Sequence, residues 1–466
     1  MTGNKSNQGP TYSHAGKGDL TAGPVGGHLV RLTVPMIWAM FATISFQLVD
    51  TFFISRLGTK PLAAMSFTFP VSFAVFNITL GMSIATSSVV SRQIGRGNPA
   101  RVRRLVTHAL IMAFILGLIL AAAGLLLMRP IFHAMGAPDD LLPLISQFMT
   151  LWFAGSIFIN TPLICNAAIR ATGNTTFPAA VMTLAALINA ALDPPLIFGM
   201  FGLPHFGILG AAIATVSSNA CAMLAGLYFI AVRKKMLTRN RRVFRLFGDS
   251  FRKIIFIALP VGLTGALMPL TSAVLTYMLA SYSTKAVAAY GIATRVEAFA
   301  FIVIIALATG MAPIIGQNWG AGKYERVNKT LHKAFTFACL WSLGTALVLG
   351  LCARPIARLF SDDPDVLDAA ALYFRVIPAT YLLGNLVFGW QSAFNAMGLP
   401  KRAFTMIVVR LFVLNLPLAF IGSRLDGVTG IFGAIALTNI VSGACFHLLN
   451  RHFCLDLEKQ LSLVGA

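Results

Sequence analysis

Charge is scarce in this sequence. Only 11% of its 466 residues are Asp, Glu, Lys or Arg, and just 15 of them are acids. Soluble globular chains carry roughly a quarter of their residues as charges, so an ordinary solvated surface is excluded. Cysteine is sparse as well. Cys165, Cys221, Cys339, Cys352, Cys445 and Cys454 lie in or near apolar runs without paired spacing, so neither a disulfide framework nor a metal site is suggested. The eight histidines fall mostly in tails and at the ends of apolar runs, with no ligand-type clustering. HExxH and GxSxG are missing, which leaves an intramembrane enzyme without its nucleophile, base or metal. The chain reads as non-enzymatic, with no cofactor. Residues 1–27 lack the charged-then-apolar layout of a cleaved signal peptide and are rich in Gly, Ser and Thr. They read as a flexible tail, with the first helix as the insertion signal.

What the chain does have is apolar length. It is 57% hydrophobic, with mean hydropathy +0.78. Windows of about 20 apolar residues, enough to cross a bilayer, recur throughout. About twelve can be placed, near 30–56, 61–91, 104–128, 141–169, 175–201, 207–232, 254–282, 286–317, 332–353, 367–397, 402–422 and 428–449. The fold expected is an all-α polytopic membrane protein of 12 transmembrane helices.

The net charge of +21 invites a nucleic-acid reading, but its distribution argues for topology. Residues 232–253 hold nine Lys/Arg, among them Arg233, Lys234, Lys235, Arg239, Arg241, Arg242 and Arg245, against the single acid Asp249. Arg92, Arg96, Arg101, Arg103 and Arg104 follow the second span, and Lys323, Arg326, Lys329 and Lys333 the eighth. The connection at 202–207 has none. The positive-inside rule then puts both termini in the cytoplasm, in a bacterial-type inner membrane. The cluster at 233–245 could also bind anionic lipid. No nucleic-acid partner is expected.

The chain repeats itself. At an offset of 225, Pro35 falls on Pro260, Gly95 and Gly97 on Gly320 and Gly322, Arg101 on Arg326, and Asn160 on Asn385. After a two-residue slip, Gly207, Gly210 and Thr215 fall on Gly430, Gly433 and Thr438. Each copy has six spans, an even number, so both insert alike, as in parallel-repeat transporters that rock one half against the other. The divisions are a tail (1–27), a six-helix lobe (28–232), a basic linker (233–253), a second six-helix lobe (254–450) and a C-terminal tail (451–466). Two lobes in one chain suffice for function as a monomer, and the repeat suits alternating access better than a fixed pore.

Acids break the symmetry. Asp50 maps to Leu275 and Asp193 to Leu418, while Glu297 in the second lobe maps to Ser72. A carboxyl at membrane depth is costly, and by default it marks a functional site. Thr43 and Gln47 share a helical face with Asp50, and Asn189 shares one with Asp193. Pro194 and Pro195 follow Asp193, and either kink the helix or end it near the outer face. Asn166 and Thr215 are further polar residues in apolar runs. Together these would line a pocket in the first lobe, unless some merely join helices by hydrogen bonds. Desolvation disfavours a buried carboxylate's charge, so such a site could exchange a proton; several oxygens could instead hold a bare monovalent cation. Glu297, with Arg295 two residues before it and Arg375 and Arg410 also at membrane depth, reads first as half of a charge-neutralising Glu–Arg pair. A part in substrate or proton coupling is the alternative.

Pro35, VDTFFISRLG, SRQIGRGNPARV after the second span and IIGQNWGAGKYERV after the eighth resemble the multidrug and toxic compound extrusion family. ALDPPLIFG and GILGAAIAT are similar to its DinF-like branch. The resemblance covers essentially 27–451 and implies a secondary antiporter exporting organic, often cationic, compounds against an inward H+ or Na+ gradient. It implies Asp50 and Asp193 as the cation or proton site, accompanied by Asn166, Asn189 and Thr215. Branches that use the second lobe place acids on its first helix. None occurs at 256–281 here, which leaves Glu297 unassigned. Proton-coupled drug efflux is the leading expectation, Na+ coupling its near alternative, and a lipid-linked precursor flippase a second class.

Overall fold

The computed structural model describes residues 19–238 and 241–464. The flexible-tail expectation for 1–18, and Arg239 of the basic linker, lie outside these residues. Fifteen α-helices follow in order: α1 Val25–Ser55, α2 Thr59–Gly95, α3 Pro99–Ala134, α4 Leu142–Ala154, α5 Ser156–Ala171, α6 Thr176–Phe198, α7 Ile208–Tyr228, α8 Phe247–Ala280, α9 Thr284–Gly320, α10 Tyr324–Leu351, α11 Ala353–Arg358, α12 Pro364–Val376, α13 Tyr381–Met397, α14 Pro400–Val408 and α15 Leu416–Val464. Local chemistry sets several boundaries. The Asn98 side chain accepts from the Arg101 amide at the start of α3, with Pro99 as first residue. Ser283 and Asp363 cap α9 and α12 in the same way.

These helices make the twelve crossings that hydropathy implies. Among the described residues, ten helical stretches are long and apolar enough to span, and α4 with α5, bent by 49°, supplies another. The twelfth hides within Pro400–Cys454, where the backbone turns at Asp426 (φ −146°) and Gly427 (φ 53°) and splits one stretch in two. One expectation needs correction. Residues 19–27 are not a flexible tail: Leu20 is wholly buried and α1 begins at Val25.

The lobes interlock. In the helix contacts, α1 packs far more on α9 than on α2, and α8 far more on α2 than on α9. Val25, Leu29 and Leu32 of α1 accordingly sit in the second lobe's core with Ile314 and Leu331. Ile254, Ile257 and Val261 of α8 sit in the first lobe's core with Val89 and Val106.

Where α2 and α9 end, they cross at van der Waals distance, and only glycine permits it. A Cβ on Gly95 would lie 1.9 Å from the Gln317 carbonyl oxygen, and one on Gly320 2.1 Å from that of Arg92. These are the same contact seen from each lobe, since 95 and 320, like 92 and 317, are repeat mates. Nearly every side chain at 79–93 of α2 and 302–318 of α9 is buried, whereas Phe69, Phe73 and Phe76 on α2 and Phe299 on α9 are exposed. The lobes therefore close on each other at the end bearing the basic loops.

Candidate functional site

Two helices of the first lobe, α1 and α6, pack side by side and bring Asp50 and Asp193 together. Their carboxyls come within hydrogen-bonding reach of each other. Asp193 is fully buried. Asp50 Oδ1 and both Asp193 oxygens are out of contact with solvent and receive no hydrogen bond among the described residues. No Lys, Arg or His of the described residues forms an ion pair with either acid. Two carboxylates cannot sit in contact in a dry site and both stay charged without a large cost. A hydrogen bond between them requires one proton, and the same pair of oxygens could grip a small cation.

The backbone contributes to this site. Helix α6 continues through Pro194 and Pro195 to Phe198 and stops at Gly199, which is left-handed (φ 72°). The prolines thus occupy its last turn, and the helix ends just beyond them. Lacking N–H groups, they leave the carbonyls of Ala190 and Ala191 without their helical donors, one turn from the carboxyls. Pro35 does the same to the Arg31 carbonyl on α1, and there Thr175 supplies the missing donor at 3.4 Å.

The other polar residues divide. Asn189, one turn before Asp193, has a buried and unbonded Nδ2, and Asn166 on α5 has a buried and unbonded Oδ1. Thr215 is half-buried on α7, which packs on both α5 and α6. Its carbonyl accepts from Ser218 and Asn219 at 3.0 and 2.8 Å. Thr43 donates back to the Ala39 carbonyl at 2.8 Å, and the Gln47 side chain is exposed. The structure thus joins Asp50 to Asp193 and sets Asn189 one turn away. No hydrogen bond ties Thr43, Gln47, Asn166 or Thr215 to the carboxyls.

Glu297 belongs to a different environment, and the Glu–Arg pair expected for it is not formed. Tyr373 donates to its carboxyl at 2.7 Å, and the Tyr381 hydroxyl approaches without completing a hydrogen bond. Arg410 is close enough to attract the carboxylate, but its guanidinium is held by Asn439 Oδ1 at 2.7 Å and the Gly384 carbonyl at 3.4 Å. Arg295 and Arg375 are exposed and pair with no acid among the described residues. Sequence reasoning missed the two tyrosines. It also missed that Arg92 and Gln317 donate from one lobe to the other, to the Met397 and Ala171 carbonyls at 3.4 and 2.8 Å; their positions as repeat mates inside the matched motifs were the available signal.

The MatE family model matches the chain twice, over residues 35–194 and 260–421. A FAD transporter of Shewanella oneidensis is 37% identical over 433 residues, covering 93% of this chain and 96% of that protein. The multidrug export protein MepA of Staphylococcus aureus is 25% identical across 94% of this chain and 97% of its own. Among solved structures, the Vibrio cholerae MATE transporter VcmN in its bent form superposes with a TM-score of 0.88 at 29% identity, over 93% of this chain and 97% of that one.

Proposed function

The chain belongs to the MatE family of multi-pass efflux transporters, and on that footing we propose that it is a secondary antiporter exporting organic molecules in exchange for protons taken up at Asp50 and Asp193. The observation that carries this reading is the approach of the buried Asp193 carboxyl to the half-buried Asp50 carboxyl, with no counter-charge among the described residues. A proton arriving there forms the one hydrogen bond the pair lacks, and its departure restores the repulsion. The site thus has two states of different shape, which is what a coupling ion needs to act on.

With the basic loops in the cytoplasm, the closed end is the cytoplasmic one, and substrate leaves between the lobes on the outer side. Phe69 and Phe73, stacked at 6.0 Å and exposed on α2, offer flat apolar surface to a ring system. FAD, the cargo named for the Shewanella relative, is the first substrate to try, and an organic cation of the kind a multidrug exporter carries is the second. Na+ has a specific observation in its favour: the freed carbonyls of Ala190 and Ala191 add neutral oxygens near the two carboxyls. The lipid-linked precursor reading gains no support from these residues.

The test is transport in proteoliposomes under a pH gradient and, separately, under a Na+ gradient. Export driven by the pH gradient, and lost in both Asp50→Asn and Asp193→Asn, supports proton exchange. Export driven by Na+ alone keeps the site and changes its ion. Normal export by both variants under both gradients would refute the assignment.

A further inference from the structure

The segment 19–23, just before α1, docks on the closed end of the second lobe. Leu20 is fully buried in that lobe's core beside Ile314, Ile315 and Val327. Its amide donates to Gln317 Oε1 at 3.1 Å, and its carbonyl accepts from Asn318 Nδ2 at 3.0 Å. Lys323 Nζ reaches the Thr21 carbonyl at 2.9 Å. Arg326 gathers the carbonyls of Leu20, Ala22 and Gly23 at 3.3, 3.2 and 3.0 Å. One leucine and a run of backbone groups are thus bound by side chains of α9, α10 and the loop between them.

Gln317 makes this more than an anchor. While its Oε1 is occupied by the strap, its Nε2 donates across the seam to the Ala171 carbonyl at the end of α5, at 2.8 Å. The strap amide therefore fixes which way the Gln317 amide faces, and so holds the donor that joins the lobes. The repeat supplies an internal comparison. Arg92, the mate of Gln317, reaches the Met397 carbonyl at 3.4 Å across the same seam. The segment preceding α8, which corresponds to the strap, docks differently: Phe244 and Leu246 are exposed. Gln93, the mate of Asn318, is left with a buried and unbonded Oε1. The dock's side chains are not repeated in the first lobe, where Arg92 and Asn98 stand in place of Gln317 and Lys323, and Met236 and Phe247, before and at the start of α8, pack into that lobe's core instead.

We propose that residues 19–23 form a detachable strap that stabilises the state closed at the basic end and must leave its dock when the lobes part there. This rests on the alternating-access reading, but distances can test it without any transported substrate. In a chain whose exposed Cys221, Cys352 and Cys445 are serine, spin labels at the exposed positions Ala100 and Glu325 report the separation of the two basic loops. Leu20→Ser, and the milder Arg326→Gln in case the first folds poorly, should each enlarge the separated population about tenfold. In the same background, a reducible bis-methanethiosulfonate cross-link between Thr21→Cys and Lys323→Cys, which spans the reach of the lysine it replaces, should cut export about tenfold or more, with recovery on reduction. Unchanged distances in both undocking variants, or full-rate export with the cross-link closed, would overturn the proposal. A chain that exports nothing before cross-linking but separates on undocking would instead count against the transport reading alone.

Discussion

Replacing Gly95 by Ala should force the closed end open. The new Cβ would sit 1.9 Å from the Gln317 carbonyl oxygen, where ordinary contact begins near 3.4 Å, so α2 and α9 must separate by about 1.5 Å. The seam tolerates little of that. It carries Gln317 to Ala171 at 2.8 Å, Ser88 to the Asn395 carbonyl at 2.5 Å and Arg92 to Met397 at 3.4 Å. With Ser88 replaced by a reporter cysteine, losing the other two at about 0.5–1.5 kcal/mol each removes roughly 1–3 kcal/mol from the closed state. That corresponds to a shift of roughly 5- to 150-fold in the closed-to-open ratio. A cysteine at Ser88, buried in the seam, reacts with a maleimide only when the seam opens, so its labelling rate reads the ratio directly. The comparison is Ser88→Cys alone against Ser88→Cys with Gly95→Ala. Gly344→Ala is the control, since a Cβ there meets nothing within 4 Å. A labelling rate that rises no more with Gly95→Ala than with Gly344→Ala would refute the claim that these glycines set the closed state.

Asp50→Asn and Asp193→Asn should each abolish pH-driven export while the chain stays folded, because an amide supplies the missing donor but cannot exchange a proton; transport and a melting curve on the same sample check both halves. Glu297→Gln should keep export, since the carboxyl already has a phenol donor and a nearby guanidinium, while lowering stability by about 1–3 kcal/mol as Arg410 loses its counter-charge; export lost without any stability change would return Glu297 to the coupling site. On the surface, hydrogen bonding to Lys285 holds the Asp363 carboxyl below its ordinary 3.8. A depressed value means the stabilisation is complete above about pH 4 and fades as pH falls further. Lys285→Gln should therefore lower the Tm slightly at pH 7 and not at pH 3, and an equal effect at both would show that the ion pair contributes nothing.

Much of this was legible before any coordinates. Twelve apolar windows and the offset joining Pro35 to Pro260 yield the spans and the two lobes, because bilayer thickness leaves hydropathy little ambiguity. Asp50 and Asp193 stood out because an acid at that depth needs a reason. What hydropathy cannot show is pairing between distant segments. Tyr373 reads as another apolar-run aromatic until its hydroxyl is seen on Glu297, 76 residues away. Leu20 is a lone apolar residue in a polar stretch without periodicity, so its burial depends entirely on a dock about 300 residues further on. Gly95 and Gly320 were visible as a repeated pair, but their purpose required the crossing itself.

The exchange of leading helix turns between lobes bears on how such a chain could arise and assemble. The first turns of α1 sit in the second core and those of α8 in the first, while the later parts of both helices pack in their own lobes, so each half completes its interior with the start of the other's first helix. A single ancestral half could complete it in the same way by pairing with its twin. The linker before α8 would then be a late tether between partners that already matched, and its length and composition are free to drift so long as it lets each leading helix reach the opposite half.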